Sequence, residues 1–176
     1  MDKFVKTIGA NHGGSDEWYT PRYAVEPILK YLTPGARIWC PFDTEESEYY
    51  KVFTEKGYDV ACTHISRGQD FLKARVRTKF DYIISNPPYS IRNDIYKKLY
   101  SLGIPFAMLY NSNGLFDAKV RSELARDNGV QLLYLYPRVH FRDRDGKENS
   151  PPFQSVYLCW KVLPEDIMFD VRENKC

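Results

Sequence analysis

Asn86, Pro87, Pro88 and Tyr89 directly follow an apolar run, Tyr82-Ile83-Ile84, and the serine Ser85. Proline has no N–H and a fixed φ, so Pro87 and Pro88 leave the surrounding carbonyls unclaimed by local hydrogen bonds from those positions. The Asn86 side chain adds an acceptor oxygen beside them. Together these groups could accept both hydrogens of a planar amino group while Tyr89 stacks on the ring that bears it. An amino nitrogen held in this way loses conjugation with its ring and gains nucleophilic character, which direct attack on an activated methyl group requires. Positioning and electrostatics carry such chemistry, not a strong base. The same residues also suit a plain turn that ends a strand, with Asn as turn former, and the residue types alone leave both readings open.

Such a cluster needs a scaffold, and along the chain apolar runs alternate with amphipathic stretches in a βα rhythm. Thr20-Pro21 reads as an N-cap and first helical turn, opening a helix that carries Tyr23-Ala24-Val25, tolerates or bends at Pro27, and ends near Thr33-Pro34-Gly35. Strands are expected at Arg37 to Cys40, Tyr58 to Thr63, Phe80 to Ser85, Pro105 to Tyr110, Val130 to Tyr136 and Gln154 to Val162. Helices are expected at Glu45 to Lys56, Arg92 to Leu102 and Leu115 to Arg126. Residues 142–152 read as an exposed loop. The fold class is α/β, a mostly parallel sheet with helices on both faces. Ligands of such sheets sit at the carboxyl ends of the strands. That rule brings Cys40-Pro41-Phe42-Asp43, His64 and Ser85-Asn86-Pro87-Pro88-Tyr89 to one edge.

The 176 residues, 43% hydrophobic and 27% charged, suit one globular domain over 16–176 after a flexible lead at 1–15. No stretch approaches the roughly 18 apolar residues of a membrane span, and the start lacks a signal peptide's apolar block, so a cytoplasmic protein is expected. Cys40, Cys62, Cys159 and Cys176 form no CxxC pair, which suggests neither a zinc site nor a disulfide framework. The net charge of +2 proves no nucleic-acid partner, although basic residues bunch at Lys73, Arg75, Arg77 and Lys79 and again at Arg138, Arg142, Arg144 and Lys147. Solvated surface is the plainer reading of both clusters. Asp43, Glu45, Glu46 and Glu48 could form a metal cluster, but an acidic first helical turn explains them through the helix dipole, and no metal is expected. Trp18 and Tyr19 are either packing aromatics or a lid over a ligand.

Ser85-Asn86-Pro87-Pro88-Tyr89 matches the hallmark [Asp/Asn/Ser]-Pro-Pro-[Tyr/Phe/Trp], and in it the chain resembles the S-adenosylmethionine-dependent amino-methyltransferases, above all the adenine-N6 DNA methyltransferases, small phage-encoded ones included. The resemblance spans about residues 16 to 160. It implies a Rossmann-like methyltransferase fold with an antiparallel last strand, S-adenosyl-L-methionine as cofactor, and Asn86, Pro87, Pro88 and Tyr89 as the catalytic element. Asp16-Glu17-Trp18-Tyr19-Thr20-Pro21 looks like the segment flanking the cofactor's methionine end, which implies cofactor contacts at Tyr19, Thr20 and Pro21. Pro41, Phe42 and Asp43 fall where the family has Asp-Pro-Phe and a glycine-rich loop. Gly68-Gln69-Asp70-Phe71 resembles the segment whose acid binds the cofactor's adenine, which implicates Asp70 and Phe71.

The chain also departs from that pattern. Cys40 replaces the usual acid, Thr44-Glu45-Glu46-Ser47 replaces glycines that let backbone approach the cofactor, and His64 stands where an acid normally binds the ribose. His64 is either a hydroxyl ligand or a turn histidine. Between His64 and Asp70 there is no room for a helix, so the third strand and helix of the family are expected to be stunted. DNA is the implied partner, its adenine flipped out of the stack, with Arg138, Arg142, Arg144 and Lys147 on the phosphates. RNA adenine and a protein glutamine amide are the other acceptors, because related families use the same element on those groups. A module of this fold that binds without catalysis is the reading from another class.

Overall fold

The computed structural model describes residues 19–142, 148–149 and 153–172. The expected lead at 1–15, and Asp16, Glu17, Trp18, Arg144, Lys147 and Cys176 with it, lie outside the described residues.

Helix α1 is only Arg22–Val25, and the chain continues as 3-10 turns over Glu26–Tyr31. Pro27 explains the change, since it offers no N–H to the carbonyl four residues back and its ring crowds that turn. Thr20 is not the cap. The capping position is Pro21, which makes no side-chain cap. Strand β1 (Arg37–Cys40) leads to α2 (Glu48–Glu55). The helix begins at Glu48 and not at Glu45 because Ser47 caps it, its hydroxyl accepting from the Tyr50 N–H at 3.2 Å. Only Glu48 therefore lies in the acidic first turn, and Glu45 and Glu46 stand in the loop before it.

Strand β2 (Asp59–Cys62) is followed by a single 3-10 turn at Ile65–Arg67 and no further strand before β3 (Tyr82–Ser85). The third strand and helix that the resemblance implies are thus reduced to this turn. A 3-10 turn at Tyr89–Ile91 feeds α3 (Arg92–Leu102), then come β4 (Phe106–Asn111), α4 (Lys119–Asn128) and β5 (Gln131–Tyr136). Helix α4 starts four residues after the expected Leu115, because residues 113–117 form a loop held by arginine side chains. The stretch expected as an exposed loop contains two short strands, β6 (Phe141–Arg142) and β7 (Glu148–Asn149), paired antiparallel. Strand β8 (Ser155–Trp160) is the expected antiparallel strand. A further strand, β9 (Ile167–Val171), had no counterpart in the sequence reading, since Phe169 and Val171 alternate with polar residues in a stretch too short to register.

The seven-stranded sheet has the order β2-β1-β3-β4-β8-β5-β9. β1 pairs parallel with both β2 and β3, β3 with β4, and β5 with β9, while β8 runs antiparallel between β4 and β5. From β1 the chain steps one way to β2 and then back across to β3, so the strand order reverses between β1 and β3. Adjacent residues of a strand enter opposite cores. Ile84 and Leu109 pack with Tyr49, Val52, Phe53 and Ile28 under α1 and α2, whereas Ile83 and Met108 pack with Ile95, Tyr96 and Leu99 of α3. In the first core the buried Tyr157 hydroxyl donates to the Ala24 carbonyl at 2.9 Å and meets the Tyr49 hydroxyl at 3.0 Å, which joins α1, α2 and β8. Among the described residues no helix is long and apolar enough to cross a membrane.

Leu109 is fully buried at the centre of the sheet. Leu109→Ala should lower the unfolding free energy by about 2–5 kcal/mol, read as a lower urea midpoint with an unchanged m-value.

Candidate functional site

Parallel pairing of β1, β2, β3 and β4 sets their carboxyl ends along one edge, and the reversal of strand order puts the segments that follow β1 and β3 on either side of the switch point, the place where such sheets form a ligand crevice. Asp43 follows β1 and Ser85 ends β3. The Ser85 hydroxyl donates to Asp43 Oδ2, which ties one loop to the other across the switch point. Burial pushes the Asp43 carboxyl up to about 6, and hydrogen bonds from Ser85 and Ser47 oppose that rise. Pro41 and Cys40 are buried, and Cys40 belongs to the core that also holds Ile38 and Tyr49. Cys40 and Cys62 are register partners on β1 and β2, and burial raises the Cys40 thiol well above the ordinary range.

The loop after β1 carries glutamates where glycines were expected, and tertiary structure turns one of them aside. Arg67, in the turn after β2, holds Glu45 with two parallel hydrogen bonds, Nη1 to Oε1 at 2.9 Å and Nη2 to Oε2 at 2.5 Å. The guanidinium holds the Glu45 carboxyl below the usual carboxylate range. Thus Glu45 is paired with a cation from the neighbouring strand end and does not direct a bare charge into the crevice. Gly68 closes the same turn at φ +73°, a left-handed conformation that a side chain would strain.

His64 caps that turn. Its Nδ1 accepts from the Ser66 N–H at 3.2 Å and lies 2.6 Å from the Ser66 hydroxyl, while its own backbone N–H donates to Gln69 Oε1. His64 thus holds the turn after β2 through its Nδ1 and its backbone N–H. Asp70 likewise accepts the Leu72 N–H at 2.9 Å and lies 3.5 Å from the exposed Lys73 ammonium. Phe71 is buried against Trp39 and Phe42, with ring centroids 5.4 Å and 5.0 Å away. Phe71 is therefore part of the wall that supports the crevice beside Phe42.

Asn86 and Thr20 meet directly. Asn86 Nδ2 donates to the Thr20 hydroxyl oxygen at 3.1 Å, and Thr20 is 8% exposed. Asn86 Oδ1 takes no hydrogen bond among the described residues. The segment that carries Thr20 is itself anchored: the Tyr19 N–H donates to the Arg142 carbonyl at 2.7 Å and the Arg142 N–H to the Tyr19 carbonyl at 3.2 Å, a β-bridge to β6. Pro87 is buried and Pro21 and Pro88 half-buried. The Tyr89 ring lies 5.5 Å from the Tyr110 ring, with the Arg92 guanidinium 5.9 Å above it, and desolvation lifts the phenol to about 12.

In the loop after β4, residues 113–117 are held by arginine side chains. Arg121, 5% exposed, donates to the carbonyls of Gly114 and Leu115 and to the side chains of Asn93 and Asp117. Arg92 adds a bond to the Gly114 carbonyl at 3.2 Å. Gly114 stands at φ +69°, and a Cβ there would lie 2.8 Å from the Asp117 carboxylate. Sequence reasoning missed Arg121. Its spacing of three from Leu124 places it on the apolar stripe of α4, and an arginine in that position is a readable signal. It also missed Asn111 and Ser155, which face each other across β4 and β8 and whose side-chain oxygens, with the Tyr110 hydroxyl, are buried without a hydrogen-bond partner among the described residues.

Of the basic residues, Arg138 follows β5 and is exposed, Arg142 is exposed on β6, and Lys73, Arg75, Arg77 and Lys79 are exposed between β2 and β3. Among the described residues no group of three or more His, Cys, Asp or Glu side chains could hold a metal ion.

No protein-family model matches the chain, and no curated protein matches it. Among solved structures, it is similar to a precorrin-6y C5,15-methyltransferase from Geobacter metallireducens, with a TM-score of 0.51 and 10% identity over 84% of this chain and 94% of that one. A TehB-like SAM-dependent methyltransferase from Corynebacterium glutamicum gives 0.48 and 13% over 91% and 94%, and a release factor-specific protein-(glutamine-N5) methyltransferase from Alicyclobacillus acidocaldarius gives 0.44 and 16% over 79% and 91%. The first of these likenesses shows a Rossmann-like methyltransferase fold, as the sequence reading expected.

The raised Asp43 carboxyl has a consequence for stability. Between about pH 4, where the unfolded chain releases this proton, and about pH 6, the folded protein keeps it. Asp43 therefore makes stability fall as pH rises through that window and contributes no further slope above it. Urea denaturation of the natural protein and of Asp43→Asn, which keeps an oxygen for Ser85, should show a stability difference that favours the natural protein most at the acid end and shrinks towards pH 6. A difference independent of pH would contradict the assignment.

Proposed function

We propose that the protein is an S-adenosylmethionine-dependent amino-methyltransferase that acts on the N6 amino group of adenine in DNA. The observation that carries this reading is the acceptor end of β3. Asn86 presents Oδ1 with no competing bond among the described residues, and Pro87 and Pro88 add no N–H donors beside it. A primary amino group has two hydrogens to donate and fits such a site, whereas a hydroxyl or a carbonyl does not use it fully.

The residues on the donor side fit the cofactor. Pro41, Phe42 and Asp43 line the loop after β1, and Arg67 neutralises Glu45, which reduces the repulsion that this loop would exert on the cofactor's carboxylate. Tyr19 and Pro21 stand at the entrance to α1, with Asp70 and Phe71 beyond β2. Bound S-adenosylmethionine supplies a methyl group activated by its sulfonium. The protein's own part is to hold and orient. Asn86 Oδ1 and the Pro87 carbonyl accept the two amino hydrogens, which turns the nitrogen lone pair out of conjugation, and the half-buried Tyr89 face stacks on the base. The Ser85–Asp43 contact keeps the two halves of the site at a fixed spacing.

The polymer substrate is supported by the exposed Arg138 and Arg142 beside this edge, with Arg144 and Lys147 in the same stretch of sequence as Arg142. Phosphate contacts from these groups would hold a strand whose target base is flipped into the crevice.

With radiolabelled S-adenosylmethionine, the protein should methylate adenine-containing DNA, and Asn86→Ala should lower the rate by a factor of about 100 or more, in line with the loss of a group that orients and stabilises the reacting centre. Calorimetry with millimolar cofactor that shows no heat would remove the enzyme reading. Equal activity in Asn86→Ala would remove the mechanism, and labelling of a glutamine-containing protein in place of DNA would reassign the acceptor.

A further inference from the structure

Thr20 lies in the segment whose resemblance implies contact with the cofactor, yet its hydroxyl is engaged by Asn86, the residue assigned to the methyl acceptor. The two are 66 residues apart in the chain and 3.1 Å apart in space. We propose that Thr20 is a positioning residue for the acceptor side, holding the Asn86 amide so that its oxygen stays directed at the substrate amino group. This inference rests on the reading of Asn86 as the amino-group acceptor.

The physical reason lies in the amide itself. A carboxamide's terminal torsion has broad, roughly two-fold preferences, so an unheld Asn side chain presents its oxygen and its NH2 almost interchangeably. Only one orientation is productive. With Oδ1 facing a substrate amino group the hydrogen bonds are complementary, whereas with Nδ2 facing it two donors oppose each other. When the substrate claims Oδ1, the Nδ2 hydrogens must go elsewhere in a half-buried site, and an acceptor oxygen at Thr20 satisfies one of them.

Three features fit Thr20 for this work. It is 8% exposed, so the bond is shielded from competing water. Pro21 follows it, with φ −71°, which limits the freedom of the backbone on that side. On the other side Tyr19 is bridged to Arg142 by two backbone hydrogen bonds, and Phe141, the neighbour of Arg142 in β6, is buried in the core under α1. The hydroxyl is thus held from both directions by structure that does not depend on any ligand. Thr20 also does not cap α1, the structural role that the sequence offered for it.

The test compares Thr20→Val, which keeps the shape and removes the hydroxyl, with Thr20→Ser, which keeps the hydroxyl. Single-turnover methyl transfer at saturating cofactor and DNA should fall about tenfold or more in Thr20→Val and recover in Thr20→Ser, while the Kd for S-adenosylmethionine measured by calorimetry stays unchanged in both. In an Asn86→Ala background the valine substitution should have no further effect, because the group it positions is gone. Should the valine variant fail to fold, Thr20→Ala carries the same expectation. An unchanged rate in Thr20→Val would overturn the proposal. So would a weaker cofactor Kd with an unchanged saturating rate, which would return Thr20 to the donor side, or a serine variant as slow as the valine one, which would make Thr20 a packing residue only. A readout free of activity separates this inference from the proposed reaction. In NMR spectra of the ligand-free protein the Asn86 side-chain NH2 should exchange slowly with solvent, and faster in Thr20→Val. Equal exchange in the two proteins would refute the positioning role even if methyl transfer is observed, and absent methyl transfer with slowed exchange would refute the reaction alone.

Discussion

Parallel pairing of β1 with β3 is the constraint on which the rest of this molecule depends. It aligns Ile38 with Tyr82 and Trp39 with Ile83, and so brings the loop after Cys40 and the segment after Ser85 to the same level at the carboxyl edge. Parallel strands need long crossovers, here the path through α2, β2 and the segment before β3, and that path sets β2 on the outer side of β1. Two segments 42 residues apart then lie close enough for Ser85 to bond Asp43. Had β3 paired elsewhere, neither the crevice nor that bond would exist.

Around this crevice the charged groups are arranged so that few remain uncompensated. Glu45 is gripped by Arg67, the half-buried Asp43 is tied to Ser85, and Asp70 is folded back on its own turn. The crevice is consequently less negative than its sequence of acids suggests. A loop built with glutamates can thus occupy a place where glycines would otherwise be expected, provided that a neighbouring strand end supplies the counter-ion. The cost is rigidity: a bidentate pair fixes the loop after β1 relative to the turn after β2.

Support for the segments around Asn86 is of another kind, made of side chains that serve backbone groups. Arg121 and Arg92 satisfy the carbonyls of the loop after β4, Gly114 lets that loop turn tightly against Asp117, and the bridge from Tyr19 to Arg142 holds the entrance to α1. The half-buried Tyr89 ring packs on the buried Tyr110 ring.

Much of this was legible in the amino-acid sequence because it depends on local patterns. Apolar runs marked β1, β3, β4 and β8, the spacing around Gly103 marked the end of α3, and the alternation of strand and helix gave a parallel sheet and hence the edge where Pro41 to Asp43 and Asn86 to Tyr89 had to meet. Local patterns also misled: Thr20 looked like a helix cap, and Glu45 looked like part of a helix, because propensity cannot tell a cap from a hydroxyl recruited by a distant amide. The short strands β6, β7 and β9 were invisible, since each owes its conformation to a partner strand and not to its own composition. What the tertiary structure alone decided is pairing across distance: Thr20 with Asn86, Asp43 with Ser85, Glu45 with Arg67 and Arg121 with the loop after β4. No periodicity encodes such pairs, because their geometry is set by the order of strands in the sheet and not by spacing along the chain.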